Sequence, residues 1–198
     1  MYKIMFVVLG AAFLLGGCTN SKTADDSPQK IAMNQQDNDS GMEEKLFQAV
    51  KIKVNEKYQF AQDLKITDVL IEGNSGFANL VFDLDHVMYE GCVYAYQENS
   101  EWKVDNFDLT PIDSKSHFTI HQVSGGLHDN PQQTYLISAG YLNDERISEI
   151  HLDYSQTGLM IIKVGAHQKT YFDTKQGVTQ GSLEVKGYDE KGNEIIRE

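Results

Sequence analysis

Basic residues are scarce and scattered in this chain of 198 residues, which carries 17 Lys and Arg against 29 Asp and Glu. The formal net charge is -12, and no run of more than two basic residues occurs. Binding to phosphate backbones needs clustered Lys and Arg that displace counterions, so the composition excludes a general nucleic-acid binder. An acidic surface is also poorly suited to electrostatic binding at anionic lipid head groups.

Apolar runs long enough to cross a bilayer are also missing, since a spanning helix needs about 20 residues. The run at the N-terminus, Ile4 to Leu15, is shorter than that and follows the singly basic Met1-Tyr2-Lys3. A short basic segment followed by such a run is typical of a secretory signal peptide. We therefore predict a signal peptide over residues 1–17.

The tetrapeptide Leu15-Gly16-Gly17-Cys18 closes this run and resembles the lipobox of bacterial lipoproteins. The resemblance implies that the Cys18 thiol receives a diacylglyceryl group and that a peptidase cleaves between Gly17 and Cys18. Two acyl chains anchor a protein stably, whereas one binds only marginally. The expected location is thus the extracytoplasmic face of the cell membrane, with the lipid bilayer as one partner. The alternatives are an ordinary secretory signal that contains a cysteine and an uncleaved anchor.

Cys92 is the only other cysteine. If Cys18 carries lipid, no intrachain disulfide can form. Cys92 lies in the apolar, strand-like stretch from Gly91 to Tyr96, without Lys or Arg close in sequence. A reactive thiol needs a cationic and partly exposed setting, so we predict a small buried side chain here.

Residues 18–41 follow the signal peptide as the lipidated cysteine and a segment rich in Asn, Asp, Gln and Ser. So few apolar side chains cannot offset the entropy of ordering, which predicts a disordered linker. Such a linker reaches roughly 25 to 30 Å and would hold the folded part clear of the head groups.

Residues 42–113 are predicted to form an α+β domain with one helix and an antiparallel meander. An apolar stripe at helical spacing indicates a helix from Met42 to about Tyr58. The turn Gly73-Asn74-Ser75-Gly76 then separates two alternating segments, as expected for a hairpin. Two further strands follow, and the order is similar to that of small cystatin-like or NTF2-like domains. The predicted strands are 64–72, 77–85, 88–97 and 101–109.

Residues 114–198 show no helical period and are predicted to form an all-β, Ig-like sandwich. Short strands at spacings of about 8 to 12 residues are typical of that architecture. The stretch from Gly140 to Val164 and the closing Tyr188 to Asn193 are similar to β-sandwich modules in exported proteins of low-GC Gram-positive bacteria. The resemblance implies fold and compartment rather than chemistry. The predicted strands are 117–123, 134–141, 147–154, 159–164, 169–173, 182–188 and 194–196.

The histidines do not form a recognisable metal motif. His117 and His121 are four residues apart, which in a strand separates them by about 13 Å, too far for one zinc ion. His128, His151 and His167 are isolated from one another in sequence. We predict surface histidines on polar strand faces and no resident metal or cofactor.

Two other groups of residues could carry a site. Asp83, Asp85 and His86 combine carboxylates with an imidazole and could perform acid-base chemistry, but alternation predicts a solvated strand face. A concave sheet lined by aromatic side chains could hold a ligand or a partner segment, although sheet core is the preferred interpretation. These aromatic residues are Tyr89, Tyr94, Tyr96, Trp102 and Phe107.

Because no catalytic motif is visible, the sequence predicts no enzyme and no catalytic residues. The favoured function is a membrane-anchored, extracytoplasmic binding or protein-interaction module at the cell envelope, with an envelope protein or the cell wall as partner. The alternative is a lipoprotein that binds a small ligand or a metal. An enzyme is the third choice.

Overall fold

The computed structural model describes residues 33–155, 157–177 and 182–197. In this part of the chain one helix, α1 (Met33–Lys57), precedes a series of antiparallel strands. The strands are β1 (Gln62–Glu72), β2 (Ser75–Leu84), β3 (Val87–Glu98), β4 (Glu101–Pro111), β5 (His121–Gly126), β6 (Thr134–Tyr141), β7 (Ile147–Tyr154), β8 (Gly158–Lys163), β9 (Thr170–Gln176), β10 (Ser182–Asp189) and β11 (Glu194–Ile195). The predicted class, one helix followed by antiparallel β structure, is confirmed at this level.

Helix α1 buries the stripe that the sequence predicts. Leu46, Val50 and Val54 repeat every four residues and are almost completely buried, because side chains at that spacing share one face of a helix. The helix begins at Met33 rather than Met42, so residues 33–41 of the predicted linker lie in it. It ends at Lys57, whose positive charge lies at the negative end of the helix dipole.

Strands β1 to β4 form the meander sheet, in the order β1-β2-β3-β4. One face packs under α1 through Ala78, Leu80 and Phe82. Trp102 connects β4 to α1, since its Nε1 donates a hydrogen bond to the Met42 carbonyl at 3.1 Å. Burying apolar side chains between helix and sheet supplies the main stabilisation of this unit.

The opposite face of the meander sheet is covered as well. Phe77, Cys92 and Tyr94 form a second core with Tyr135 and Ile137 of β6. For this reason β2 is buried along most of its length rather than on alternate residues, a pattern typical of a strand covered on both faces.

The C-terminal strands form two further sheets. The inner sheet has the order β5-β6-β9, and the outer sheet has the order β11-β10-β7-β8. Leu136 and Tyr171 of the inner sheet pack against Ile150, Leu152 and Tyr154 of the outer sheet. Helix, meander sheet, inner sheet and outer sheet therefore follow one another as successive layers.

The first strand of the inner sheet differs from its prediction. It covers His121–Gly126 instead of residues 117–123, and it includes Gly125 and Gly126, which lie between two of the predicted strands. A Cβ on Gly125 would lie 2.8 Å from the Tyr135 hydroxyl, and one on Gly126 would lie 2.6 Å from the Pro131 carbonyl. The two glycines therefore serve close packing within the strand rather than a turn.

Gly140 in β6 is another glycine against which neighbouring atoms pack closely, and it allows a direct test of such packing. A Cβ at that position would overlap the Thr119 carbonyl oxygen and would lie 2.6 Å from the Tyr171 ring. We expect Gly140→Ala to lower the free energy of unfolding by about 1 to 3 kcal/mol, as overpacked cores do. Urea unfolding of the chain measures the change. Gly165→Ala is the control, because a Cβ at Gly165 would approach no atom closer than 3.6 Å. This variant should leave the free energy of unfolding nearly unchanged. An equal loss of stability in both variants would contradict the packing argument.

Candidate functional site

The histidines are divided between the surface and one buried position. His117 Nδ1 lies 3.1 Å from Asp144 Oδ2, and His151 Nε2 lies 3.0 Å from Glu149 Oε2. His128 stacks on the Tyr96 ring with a centroid separation of 3.6 Å. His121 is buried, so the prediction of a surface position is wrong for this residue. The reason is that β5 packs across the meander sheet, which alternation within β5 does not reveal.

His167 is exposed and has a left-handed backbone conformation, with φ of 69°. Within residues 33–155, 157–177 and 182–197, no group of three or more His, Cys, Asp or Glu side chains is arranged to hold a metal ion.

The Asp83, Asp85 and His86 cluster closes the turn between β2 and β3. Asp85 and His86 have positive φ angles of 52° and 66°, as the central residues of a tight hairpin turn do. The His86 N–H donates a hydrogen bond to Asp83 Oδ1 at 3.0 Å. The Asp83 carboxylate therefore stabilises the turn. Asn79 lies on the strand face that was expected to be solvated, but it is buried.

The predicted aromatic set is distributed over two cores. Tyr89, Trp102 and Phe107 pack in the core beneath α1. Tyr94 and Tyr96 pack on the other face, against the inner sheet. Since the rings lie on opposite sides of one sheet, they line no common ligand cavity, and the preferred interpretation as sheet core is confirmed.

A layer of polar side chains lies between the meander sheet and the inner sheet. Glu90 of β3 is only 2% exposed and accepts a hydrogen bond from Thr119 Oγ1 at 2.8 Å. Burial raises the pKa of Glu90 to about 7, and the Thr119 hydrogen bond and the positive charge of Arg197 oppose that rise. Tyr171 completes the contact, since its hydroxyl donates to the Thr119 carbonyl at 2.8 Å. A carboxyl group buried in this way favours its protonated form.

His121 and Cys92 belong to the same layer. His121 Nε2 lies 3.2 Å from Oδ2 of Asp108, which is directly opposite Cys92 in the ladder between β3 and β4. Burial lowers the pKa of His121, and the Asp108 carboxylate partly offsets that effect. Burial also raises the pKa of the Cys92 thiol, an effect that the carboxylates of Glu90 and Asp108 reinforce. The thiol is therefore protonated and inaccessible, as predicted for Cys92.

An open groove of about 740 Å³ lies between α1 and β4, and we call it the helix groove. Ala49, Ile52, Trp102 and Val104 supply its apolar surface. Ile52 is 61% exposed and lies on the side of α1 away from its buried stripe. The remaining lining residues are polar or charged: Glu44, Lys45, Gln48, Lys53, Glu56, Ser100 and Glu101.

Sequence reasoning missed the helix groove, although one signal for it was present. Ile52 lies between Lys51 and Lys53, outside the buried stripe of α1. An isolated apolar residue of this kind is common on protein surfaces. It became informative only when folding placed Trp102 and Val104 of β4 beside it.

A second groove, of about 510 Å³, lies at the end of the sandwich. Four of its charged residues are paired within the chain: Arg146 contacts Asp144, and Lys169 Nζ lies 2.9 Å from Glu145 Oε1. The Arg146 hydrogen bonds lower the pKa of Asp144 to about 2. This pairing makes the sandwich groove a weaker candidate for binding than the helix groove.

Gly17 and Cys18 lie outside the described residues, so their predicted roles in cleavage and lipidation stay predictions. Helix α1 is not apolar enough to cross a membrane, and no helix in the described part of the chain is. No family model matches the chain, and neither a curated protein nor a solved structure matches it.

Glu90 makes stability depend on pH in a defined direction. Its pKa is raised from 4.5 to about 7 in the folded chain, so the folded chain binds a proton at Glu90 more tightly than the unfolded chain does. This proton binding stabilises the fold, and the stabilisation is lost as pH rises between the two pKa values. We expect the free energy of unfolding to fall by about 3 kcal/mol from this group over that interval. Glu90→Gln keeps an acceptor for Thr119 and should abolish the fall, making the variant more stable than the wild type above neutral pH.

Urea unfolding at a series of pH values measures this effect, with the exposed Glu101→Gln as control. His121 contributes in the opposite direction, because a histidine with a lowered pKa loses its stabilising contribution as pH falls. The Glu90→Gln variant should therefore show stability that rises with pH. A wild-type fall that persists in Glu90→Gln would contradict the assignment to Glu90.

Proposed function

We propose that this protein is a lipid-anchored, extracytoplasmic lipoprotein that acts as a binding or protein-interaction module at the cell envelope. The observation that carries the proposal is the helix groove, which combines an exposed Ile52 with an apolar floor. Interaction sites commonly present such an apolar centre with a polar rim.

The partner proposed for the helix groove is a segment of another envelope protein with apolar and basic side chains. The rim carries three carboxylates and two lysines, and Lys53 is already paired with Glu56 at 3.2 Å. The charged rim residues are Glu44, Lys45, Lys53, Glu56 and Glu101. The chain as a whole carries a net charge of -12. Complementary charge on the partner would accelerate encounter and suppress binding of acidic proteins.

The proposed membrane attachment is the lipid on Cys18. The support is the sequence Leu15-Gly16-Gly17-Cys18 at the end of an apolar run and the acidic character of the chain, which disfavours adsorption to anionic lipids. A diacylglyceryl cysteine holds a protein at a membrane independently of surface charge.

We further propose that the inner and outer sheets form an Ig-like sandwich. Counting from β5, the first, second and fifth strands share the inner sheet, and the third, sixth and seventh lie in the outer sheet. This distribution is that of immunoglobulin constant-type domains, apart from the fourth strand, β8, which joins the outer sheet here. The strand order is the support for this finer classification.

The anchor can be tested in the cells that produce the protein. Cys18→Ala should abolish labelling by radioactive fatty acid and leave the precursor uncleaved, because the thiol is the only proposed site of lipid attachment. Cys92→Ala is the matched control, and it should keep the label. Labelling that continues in Cys18→Ala would refute the lipobox assignment.

The helix groove can be tested with a photocrosslinking amino acid at Ile52 of the full chain. We expect one discrete adduct that weakens as salt rises. Ala49→Gln should remove the adduct by filling the groove, whereas Lys51→Gln, next to the groove on the same helix, should retain it. Val87, an exposed residue at the start of β3, serves as the control position for the crosslinker.

Equal labelling at Val87 and Ile52, or an adduct at Ile52 that survives Ala49→Gln, would count against the helix groove as a protein-binding site. A small molecule that raises the melting temperature and protects the groove from labelling would favour the alternative, a ligand-binding lipoprotein.

A further inference from the structure

In the described part of the chain the three sheets have six edge strands, and five of these carry features that discourage pairing with another strand. Strand β11 has only two residues, β1 has two register shifts, and β4 has an irregular ladder with β3 and ends at Pro111. Strand β9 contacts β1 through the hydrogen bond from Thr170 to Asp68, and β5 contacts β4 through His121 and Asp108. Short, irregular or covered edges are how proteins avoid association through their sheets.

The sixth edge, β8, lacks these features. Its ladder with β7 runs without a register shift from Lys163 to Gly158. Lys163 is its only charged residue and stands at its end. Leu159 is 59% exposed and Ile161 is 45% exposed. A regular edge with exposed apolar side chains is a site where another strand adds readily.

The backbone of β8 is oriented for such an addition. The Val164 N–H donates to the Ser148 carbonyl at 2.8 Å. Along an antiparallel ladder, every second residue hydrogen-bonds to the neighbouring strand, here β7. Even-numbered residues of β8 therefore bond to β7. The N–H and C=O groups of Leu159, Ile161 and Lys163 point to the open edge, and the exposed side chains of the same residues stand on the outer face.

We propose that a second copy of this chain binds β8 edge to edge, antiparallel, with a twofold axis at Ile161. Ile161 would then lie opposite Ile161 of the second copy, and Leu159 would lie opposite its Lys163. Each of these residues would exchange both backbone groups with its counterpart. The two outer sheets would join into one continuous sheet. This surface is separate from the helix groove, and the proposal does not depend on the function assigned to that groove.

Charge favours a second copy in this arrangement. Across the joined sheet, one row of side chains would read Asp153, Leu159, then Lys163 and Glu149 of the second copy, following the pairing of β7 with β8. Each Lys163 would have Glu149 of its own chain beside it and, beyond Leu159, Asp153 of the other chain, and the two lysines would stand at opposite ends of the new ladder. Two chains of net charge -12 repel each other, and an edge strand without a carboxylate is where two copies can approach.

Cysteine crosslinking of the full chain in its own cells tests the twofold axis. Paired residues of an antiparallel ladder have Cα atoms about 5.5 Å apart, which a disulfide can span. Ile161→Cys should therefore form, under mild oxidation, a disulfide-linked species of twice the monomer mass. Leu159→Cys should stay monomeric, because its two copies would be about 13 Å apart along the strands. Wild-type chain gives the background from Cys18 and Cys92.

Co-expression of Leu159→Cys with Lys163→Cys should restore crosslinking, since these positions face each other in the proposed register. All three positions are exposed, so the substitutions should leave folding intact, which thermal unfolding of each variant checks. An Ile161→Cys chain that stays monomeric, or equal crosslinking of Ile161→Cys and Leu159→Cys, would overturn the proposal. Crosslinking of Ile161→Cys to a different protein would overturn it as well.

Discussion

The meander sheet is buried on both faces, and the arrangement of every other layer depends on that. On one side Leu80 and Phe82 accept α1, and on the other Phe77 and Tyr94 accept β6. A sheet that is apolar on both faces needs a layer on each side, because either face left exposed would lose its hydrophobic stabilisation. The helix, the meander sheet and the inner sheet are consequently joined through two contiguous cores.

The contact between the meander sheet and the inner sheet is not purely apolar. Glu90, Thr119, His121 and Tyr171 form a buried polar layer in which most groups have partners. His121 Nδ1 is the exception among the described side chains, as it is buried without a hydrogen-bond partner. Burial shifts the pKa values of Glu90 and His121 in opposite directions. This contact therefore couples the docking of the two sheets to proton binding near neutral pH.

The layered stack also determines which surfaces remain for partners. The inner sheet is covered on both faces, whereas the free side of α1 and the outer sheet stay accessible at the two ends of the stack. The helix groove and β8 lie at these two ends of the stack, with Ile52 at one and Leu159 and Ile161 at the other. An envelope protein bound at Ile52 would consequently not obstruct a second copy bound at Ile161.

Local pattern determined the buried stripe of α1, the hairpin at Gly73-Asn74 and the succession of strands, because helical and strand periods are properties of neighbouring residues. The same holds for the proposed lipid site at Cys18, which depends on a short contiguous motif. The tertiary structure alone decided the burial of His121 and Asn79, the strand position of Gly125, and the grouping of Ile52 with Trp102. Those features depend on which layer lies across a strand, and contacts between residues far apart in sequence leave no period in the sequence itself.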